Sequence, residues 1–443
     1  MPFSHLPAFV ASCFARLAAA LDPRHCARLP VLLCGLLLAT GRRTCTSWFR
    51  AAGITDAFRP AYAVVWSAGR KADWLAVRLL PAVDPFLAGK RLLLGIDDSP
   101  TQRYGPHIEG AGMHHNPTPG PAGHKFLYGH NWVSLAALAK HPAWGTIALP
   151  LLSEAYLRAQ DIARLDPDHQ VPFRTKLELA ASLLHWVCTW RGHRYEEVWT
   201  VVDGGYSKRP FLRAAKKEKV VVIGRLPKNA ALWSVPVPVP PQERGPGRPR
   251  TYGKERISLA KRGGQTRGGQ EVQCLQYNQR VTKTVKTFQA TWRPAGGLIL
   301  VVLVREEDGW RAYFCTDPKA TAQEVLEAVA DRGAHEQTFK DQKEVWGAGQ
   351  QQVRNLHANT GCFNLCGWMY SVVEAWAWEK EEDELVDRSQ SPWDNQPRRP
   401  SHQDKRIALQ REVMRAEIEA ALAGRPTKQE IRDLAERLLR MAG

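Results

Sequence analysis

The stretch RLLLGIDDSPT (Arg91–Thr101) runs an unbroken apolar segment, Leu92–Ile96, straight into two adjacent carboxylates. With no polar interruption, that segment reads as a strand buried on both faces in the middle of a sheet. EEVWTVVDGGYSKR (Glu196–Arg209) repeats the arrangement: Val198–Val202 is strand-like and ends at Asp203, and Gly204–Gly205 then closes the strand and leaves room for a close ligand. Further on, DRGAHEQTFKDQKEVWG (Asp331–Gly347) is helix-like and carries Glu336. Phosphodiester chemistry needs an activated water or hydroxyl and a stabilised leaving oxygen. Two metals about 3.5–4 Å apart supply both, and hard cations such as Mg²⁺ take carboxylate oxygens. Two strand-end aspartates and a helix glutamate therefore point to a metal-dependent enzyme that cuts nucleic acid.

Side-chain alternation limits how these groups meet. Leu92, Leu94, Ile96 and Asp98 share one face of the first strand and Leu93, Gly95 and Asp97 the other, so both aspartates cannot point the same way. On the second strand Trp199, Val201 and Asp203 share a face. On the helix, Arg332, Glu336, Phe339, Lys340 and Lys343 fall on one face. An Arg and two Lys beside a metal carboxylate would hold substrate phosphates. A solvent-facing ladder of ion pairs fits the same charge pattern, and only the ordering with the two aspartates favours the first reading.

Outward from these stretches the chain divides. Residues 1–90 carry Ala and Leu at helical spacing with Pro at the joints. Within them Thr40–Tyr62 is either a DNA-reading helical unit or ordinary helix packing. Residues 91–226 hold the first part of a mixed α/β core, with further strands over Phe126–Leu138, Trp144–Leu151 and Val220–Arg225 and a helix over Phe173–Trp190. Residues 227–296 change character: VPVPVPPQERGPGRPRTYGK is rich in Pro, Gly and Arg, and alternating polar and apolar residues follow, so the stretch is expected to be a basic β-rich insertion. Residues 297–382 return to the core with strands at Gly297–Val304 and Trp310–Cys315 and then helices. Residues 383–443 form a helical tail ending in Arg406–Ala423 and Thr427–Met441.

Charge agrees with a polyanion partner. The net charge is +17, and Ser207–Arg293 alone holds 20 basic against 4 acidic residues, an excess of 16. Lys and Arg clustered so tightly gain from displacing the counterions condensed on phosphates. Arg248 and Arg250, in the GRPR run, either enter a narrow minor groove or ride on a flexible basic loop. The nine cysteines are odd in number and lack CxxC spacing, which is expected of reduced thiols. Leu29–Gly41 is too short to span a bilayer and the N-terminus does not read as a signal peptide. A soluble intracellular protein with no membrane association is expected. His114–His115 sit in a Gly/Pro loop, where adjacent histidines seldom share a metal. Most of the 16 tryptophans should be core, with Trp346 the best placed to stack on a flipped base.

These motifs resemble the DDE transposases of bacterial insertion sequences. The block GIDDSPTQRYGPHIEGAGMHHNPTPGPAGHKFLYGH (Gly95–His130) looks like that family's first-aspartate block, and Arg332, Glu336 and Lys343 match the R-x3-E-x6-K of its third. The tyrosine that opens the third block is replaced by Val329. The resemblance runs from Arg91 to about Glu379. It implies an RNase H-like core with Asp98, Asp203 and Glu336 as catalytic metal ligands, Asp98 being preferred to Asp97 because the family sets this aspartate before Ser or Thr. The 133 residues from Asp203 to Glu336 would then contain an inserted β domain. The resemblance further implies two Mg²⁺ ions replaceable by Mn²⁺, and double-stranded DNA as partner, both the inverted ends of the element and its target. A homodimer on paired ends and a place on the bacterial nucleoid in the cytoplasm are also implied. The expected activity is cutting at the element ends and joining of the freed 3′-hydroxyls to target DNA. Two rival expectations are an RNase H-like endonuclease without strand transfer and a catalytically silent DNA-binding descendant.

Overall fold

A computed structural model describes residues 5–87, 89–116, 123–237, 242, 248–265, 267–389, 393–423, 427–429, 431–432 and 435–436. Most of the expected helix Thr427–Met441 and part of the GPGRPR loop lie outside these residues.

The apolar run at Leu92 does become a central strand, and a longer one than its composition suggests. β1 (Arg91–Gln102) continues through both aspartates, because its antiparallel partner β3 (Phe126–His141) stays paired as far as Gln102, opposite Gly129. A short β2 (Gly112–His115) and a long β4 (Gly145–Tyr156) both pair with β3. On the other side of β1 lie β5 (Glu197–Val202) and β6 (Val221–Arg225), parallel to it. The order β4-β3-β1-β5-β6, antiparallel on one side of β1 and parallel on the other, is the RNase H-like arrangement that the resemblance implies. β1 is therefore flanked by two strands that diverge: the β5 ladder stops at Ile96 opposite Val202, whereas the β3 ladder goes on. Asp97 and Asp98 sit where that one neighbour leaves off.

The segment expected as an insertion extends the same sheet. Its strands β7 (Leu232–Trp233), β8 (Arg256–Ile257), β9 (Gln270–Gln276) and β10 (Gln279–Trp292) are joined to β6 through β11 (Gly297–Glu306) and β12 (Gly309–Cys315), the two strands expected to return to the core, by the β6–β12 pairing. The β9–β10 hairpin turns at Tyr277 and Asn278, both with positive φ (51° and 64°). Its tip reaches the core: Asn278 Nδ2 donates to the Ala143 carbonyl, and the Leu275 N–H donates to Glu327. Not all of the basic excess faces solvent. Lys286 is buried, its ammonium donating to the carbonyls of Arg262 and Gly263, while Arg248, Arg250, Arg256, Lys261, Arg262, Arg267 and Arg280 are exposed.

Helices cover both faces. The N-terminal set is α1 (Ala8–Ala18), α2 (Pro23–Cys26), α3 (Leu29–Leu38), α4 (Cys45–Ala51), α5 (Phe58–Arg70) and α6 (Ala72–Val83). Trp48 and Phe49, inside the Thr40–Tyr62 stretch, are fully buried in a core shared with the sheet. The remaining helices are α7 (Ala159–Ile162), α8 (Lys176–Arg191), α9 (Arg209–Lys217), α10 (Leu259–Gly264), α11 (Ala322–Glu344), α12 (Leu356–Trp376), α13 (Glu382–Leu385) and α14 (His402–Leu422). α11 opens with a capping box in which the Thr321 hydroxyl accepts from the Glu324 N–H and Glu324 accepts from the Thr321 N–H. α12 is apolar nearly all round because it is buried nearly all round. It crosses α5 at Gly69 and Gly361; a Cβ on Gly361 would lie 2.1 Å from the Val65 carbonyl oxygen.

α14 is tied down by a buried polar cluster. Glu374 accepts from Lys405 (2.5 Å) and from His402 (2.6 Å), and Trp346 donates to the other nitrogen of His402 (2.8 Å). Burial pushes the Glu374 carboxyl up, but Lys405 and His402 overrule it and bring its pKa down to about 2. Arg406 caps the end of α3 by donating to the Leu37 and Ala39 carbonyls. Trp346, expected to offer a face to a flipped base, is fully buried in this cluster and has none to offer. Among the described residues no helix is long and apolar enough to cross a membrane.

Candidate active site

The two faces of the central sheet pack against different helices, and this sorts the carboxylates. Trp199 and Val201 of β5, with Leu93 of β1, pack against Val325, Leu326 and Ala328 of α11. Leu94, Ile96 and Val202 face the other way, into the cluster that holds Leu179 and Leu183 of α8 and Phe211 of α9. The parallel register pairs Gly95 with Val201 and Ile96 with Val202. Asp97 follows on the α11 face of β1, and Asp203 is the first residue beyond the end of β5. Asp98 belongs to the α8 and α9 face.

Hydrogen bonding follows this division. Asp97 Oδ2 accepts from Arg332 of α11 at 2.6 Å, and the same guanidinium donates to Glu336 at 3.0 Å. Lys343, two turns further along α11, donates to Ser99 Oγ at 2.6 Å. Ser99 lies two residues beyond Asp97 on the same face of β1. Arg332, Glu336 and Lys343 are thus brought together with Asp97, whereas Lys340 points to solvent and pairs with Glu344 at 4.0 Å. Asp98 takes different partners: its Oδ1 accepts from the Tyr206 hydroxyl (2.9 Å) and its Oδ2 from Lys176 (2.6 Å). Asp203 caps its own turn. Its Oδ1 accepts from the Gly205 N–H (2.8 Å) and the Tyr206 N–H (3.2 Å), and no hydrogen bond to its Oδ2 is seen among the described residues.

The electrostatics mark Asp97 as the strained member. Burial raises its pKa to about 6; Arg332 opposes that rise, and the charges of Asp203 and Asp98 add to it. Burial pushes the Lys343 ammonium down. Packed beneath Gly95 is His335, fully buried and stacked on Phe339, with neither ring nitrogen hydrogen-bonded among the described residues; burial holds its pKa down to about 3, so it is neutral filler at the helix–sheet contact. A Cβ at position 95, two residues before Asp97, would come within 3.2 Å of that ring, a close approach that glycine avoids.

These donors suit a hard divalent cation. They are carboxylate oxygens, Asp203 keeps one of its own without a hydrogen bond, and the like charges of Asp97 and Asp203 are crowded in a way a cation would relieve. As they stand, no three His, Cys, Asp or Glu side chains among the described residues are gathered closely enough to hold an ion. His114 and His115 alternate on β2: His114 is buried, with burial and Arg158 lowering its pKa to about 4, while His115 is exposed beside Phe126. Arg248 and Arg250 are exposed between β7 and β8.

Several residues of the site carry no advance signal. Lys176 is one lysine among many at the start of a helix, His335 is ordinary in its local sequence, and Ser99 entered only as the residue that follows Asp98. Tyr206 had a faint one, since it follows Asp203 by three residues in a Gly-Gly turn.

Fold and site together define an RNase H-like protein with an acidic face where its two central parallel strands part. The chain belongs to the DDE superfamily endonucleases: the model of that family matches residues 16–295, spanning both strand-end aspartate sites and ending before Glu336. Comparison with curated proteins gives no match. Membership implies a nuclease whose substrate is DNA, in a family that generally uses divalent metals.

Proposed function

We propose that this protein is a DNA transposase whose metal ligands are Asp97, Asp203 and Glu336. The observation that carries the reading is that Arg332 of α11 donates to both Asp97 and Glu336 and that the Asp203 charge bears on Asp97, while both oxygens of Asp98 are taken by Tyr206 and Lys176. Asp97 is therefore preferred here to Asp98, the residue favoured by sequence resemblance. When bound, a pair of Mg²⁺ ions, or Mn²⁺ in their place, would activate the attacking oxygen and stabilise the leaving one. The chain's own part is to hold the ions with three carboxylates and to neutralise the scissile phosphate with Arg332 and Lys343. Lys340 lies one turn past Glu336 on the exposed side of α11 and would meet the DNA backbone further out. Arg248, Arg250 and the other exposed cations of the outer strands would track the duplex. On this reading the protein cuts at the inverted ends of its element and joins the 3′-hydroxyls to target DNA. It would act as a dimer on paired ends at the nucleoid.

The test uses DNA carrying the repeats that flank the coding region. With Mg²⁺, wild type should nick these ends and join pre-cut ends to plasmid, and Asp97→Asn, Asp203→Asn and Glu336→Gln proteins should lose both reactions by several orders of magnitude. Folded Asp203→Asn and Glu336→Gln proteins that cleave at the wild-type rate would sink the proposal. Cutting without joining would leave an endonuclease of the same fold.

A further inference from the structure

We propose that Asp98 is a positioning residue, which through the Tyr206 hydroxyl locks the turn that presents Asp203 to metal. The inference rests on the reading of Asp97, Asp203 and Glu336 as the ligands. Both oxygens of Asp98 are already engaged, by Tyr206 at 2.9 Å and Lys176 at 2.6 Å, on the face of the sheet away from α11. To take a metal, this side chain would have to give up both contacts.

Tyr206 is gripped from two directions. Its ring is buried, with its edge toward Phe211 at 6.2 Å between centroids, and its hydroxyl donates to Asp98. Its main-chain N–H meanwhile donates to Asp203 Oδ1, beside that of Gly205, and the next residue, Ser207, donates its hydroxyl to the Asp203 carbonyl (3.1 Å). The β1–β5 ladder ends at Ile96 and Val202, so beyond it Tyr206 is a cross-link from β1 to the turn that holds Asp203. One oxygen of Asp203 is thereby pinned and the other left for an ion. Adjacent aspartates on one strand then divide the work: Asp97 faces the ion, and Asp98 holds the second aspartate in register with it. Groups that orient a metal ligand in this way typically change affinity about 10–100-fold.

The experiment is a Mn²⁺ titration of the full chain without DNA, read by the electron paramagnetic resonance of free Mn²⁺, with metal-free thermal unfolding alongside. Tyr206→Phe should weaken Mn²⁺ binding about tenfold, and its DNA cleavage should recover at saturating metal. Asp98→Asn keeps an acceptor for Tyr206 and should bind more tightly than Asp98→Ala. Unchanged affinity in both Tyr206→Phe and Asp98→Ala would overturn the tether. So would Asp98→Asn losing Mn²⁺ as completely as Asp203→Asn, which would make Asp98 a ligand. If Tyr206→Phe does not fold, the Asp98→Asn and Asp98→Ala comparison decides. Undiminished Mn²⁺ binding in all of Asp97→Asn, Asp203→Asn and Glu336→Gln would overturn the underlying ligand assignment instead.

Discussion

Asp97→Asn should make the metal-free protein more stable at neutral pH. The Asp97 carboxyl is held at about 6 against an ordinary 3.8, by burial first and by Asp203 and Asp98 in addition, with the Arg332 attraction already counted. At ~1.4 kcal/mol per pH unit, keeping it ionised at pH 7 costs the fold about 3 kcal/mol. Only 16% of the side chain is exposed, so water screens little of this. The sign follows from proton uptake. Because the folded value lies above the unfolded one, the native state carries the extra proton between about pH 4 and 6, and wild-type stability falls as pH rises through that window. The substituted amide keeps an acceptor for the Asp98 N–H and removes the charge, but it turns its NH2 toward Arg332, which gives up one hydrogen bond and keeps Glu336, so about 3 kcal/mol is an upper bound. Urea unfolding of both proteins without metal should therefore show the Asp97→Asn protein ahead by up to about 3 kcal/mol at pH 7.5, with the gap closing toward pH 4. Groups remote from Asp97 titrate alike in the two proteins and cancel. Adding Mg²⁺ should narrow the gap at pH 7.5, because the ion stabilises wild type alone. An Asp97→Asn protein less stable than wild type at pH 7.5, or a difference that does not move with pH, would refute the argument.

Glu374→Gln strands the buried Lys405 ammonium and should cost about 3–5 kcal/mol in urea unfolding at pH 7. Since Glu374 is held near 2, its contribution is present above about 4.5 and lost as pH falls through about 2, so the deficit should fade in acid. Gly361→Ala drives a methyl into the Val65 carbonyl and should lower stability by about 1–3 kcal/mol or more, read as a drop in unfolding midpoint. Lys343→Ala should slow cleavage of end DNA and reduce the salt slope of DNA binding by about one, as expected for one lost phosphate contact.

The sequence made the strands around the aspartates legible because they are buried on both faces and so are apolar without a break. It also made the alternation within each strand legible: Asp97 and Asp98 had to diverge, and Asp203 had to share a face with Trp199 and Val201. Which aspartate contacts the glutamate helix was not legible, because the Arg332 bridge to Asp97 and Glu336 joins segments more than two hundred residues apart in the chain. The same limit applies to Trp346. Its burial is set by His402, which arrives from a distant helix. The β-rich character of the Pro227–Pro294 segment could be read from its alternation, but its continuity with the core sheet could not, since β12, which joins the two, lies beyond that segment in sequence.

The β9–β10 hairpin bears on how far this protein can be reduced. The Tyr277 ring lies over Gly333, one residue from Arg332, and the hairpin reaches both the Glu327 side chain and the β3–β4 turn, so the glutamate helix is bracketed between the sheet below and this hairpin above. A shortened cutter that dispensed with residues 270–292 would bare the outer side of that helix and let its carboxylate drift from the aspartates. Length can be gained or lost more cheaply between Trp233 and Arg256, at the far edge of the sheet, where two-residue strands hold little in place. Miniaturisation has to begin at that edge.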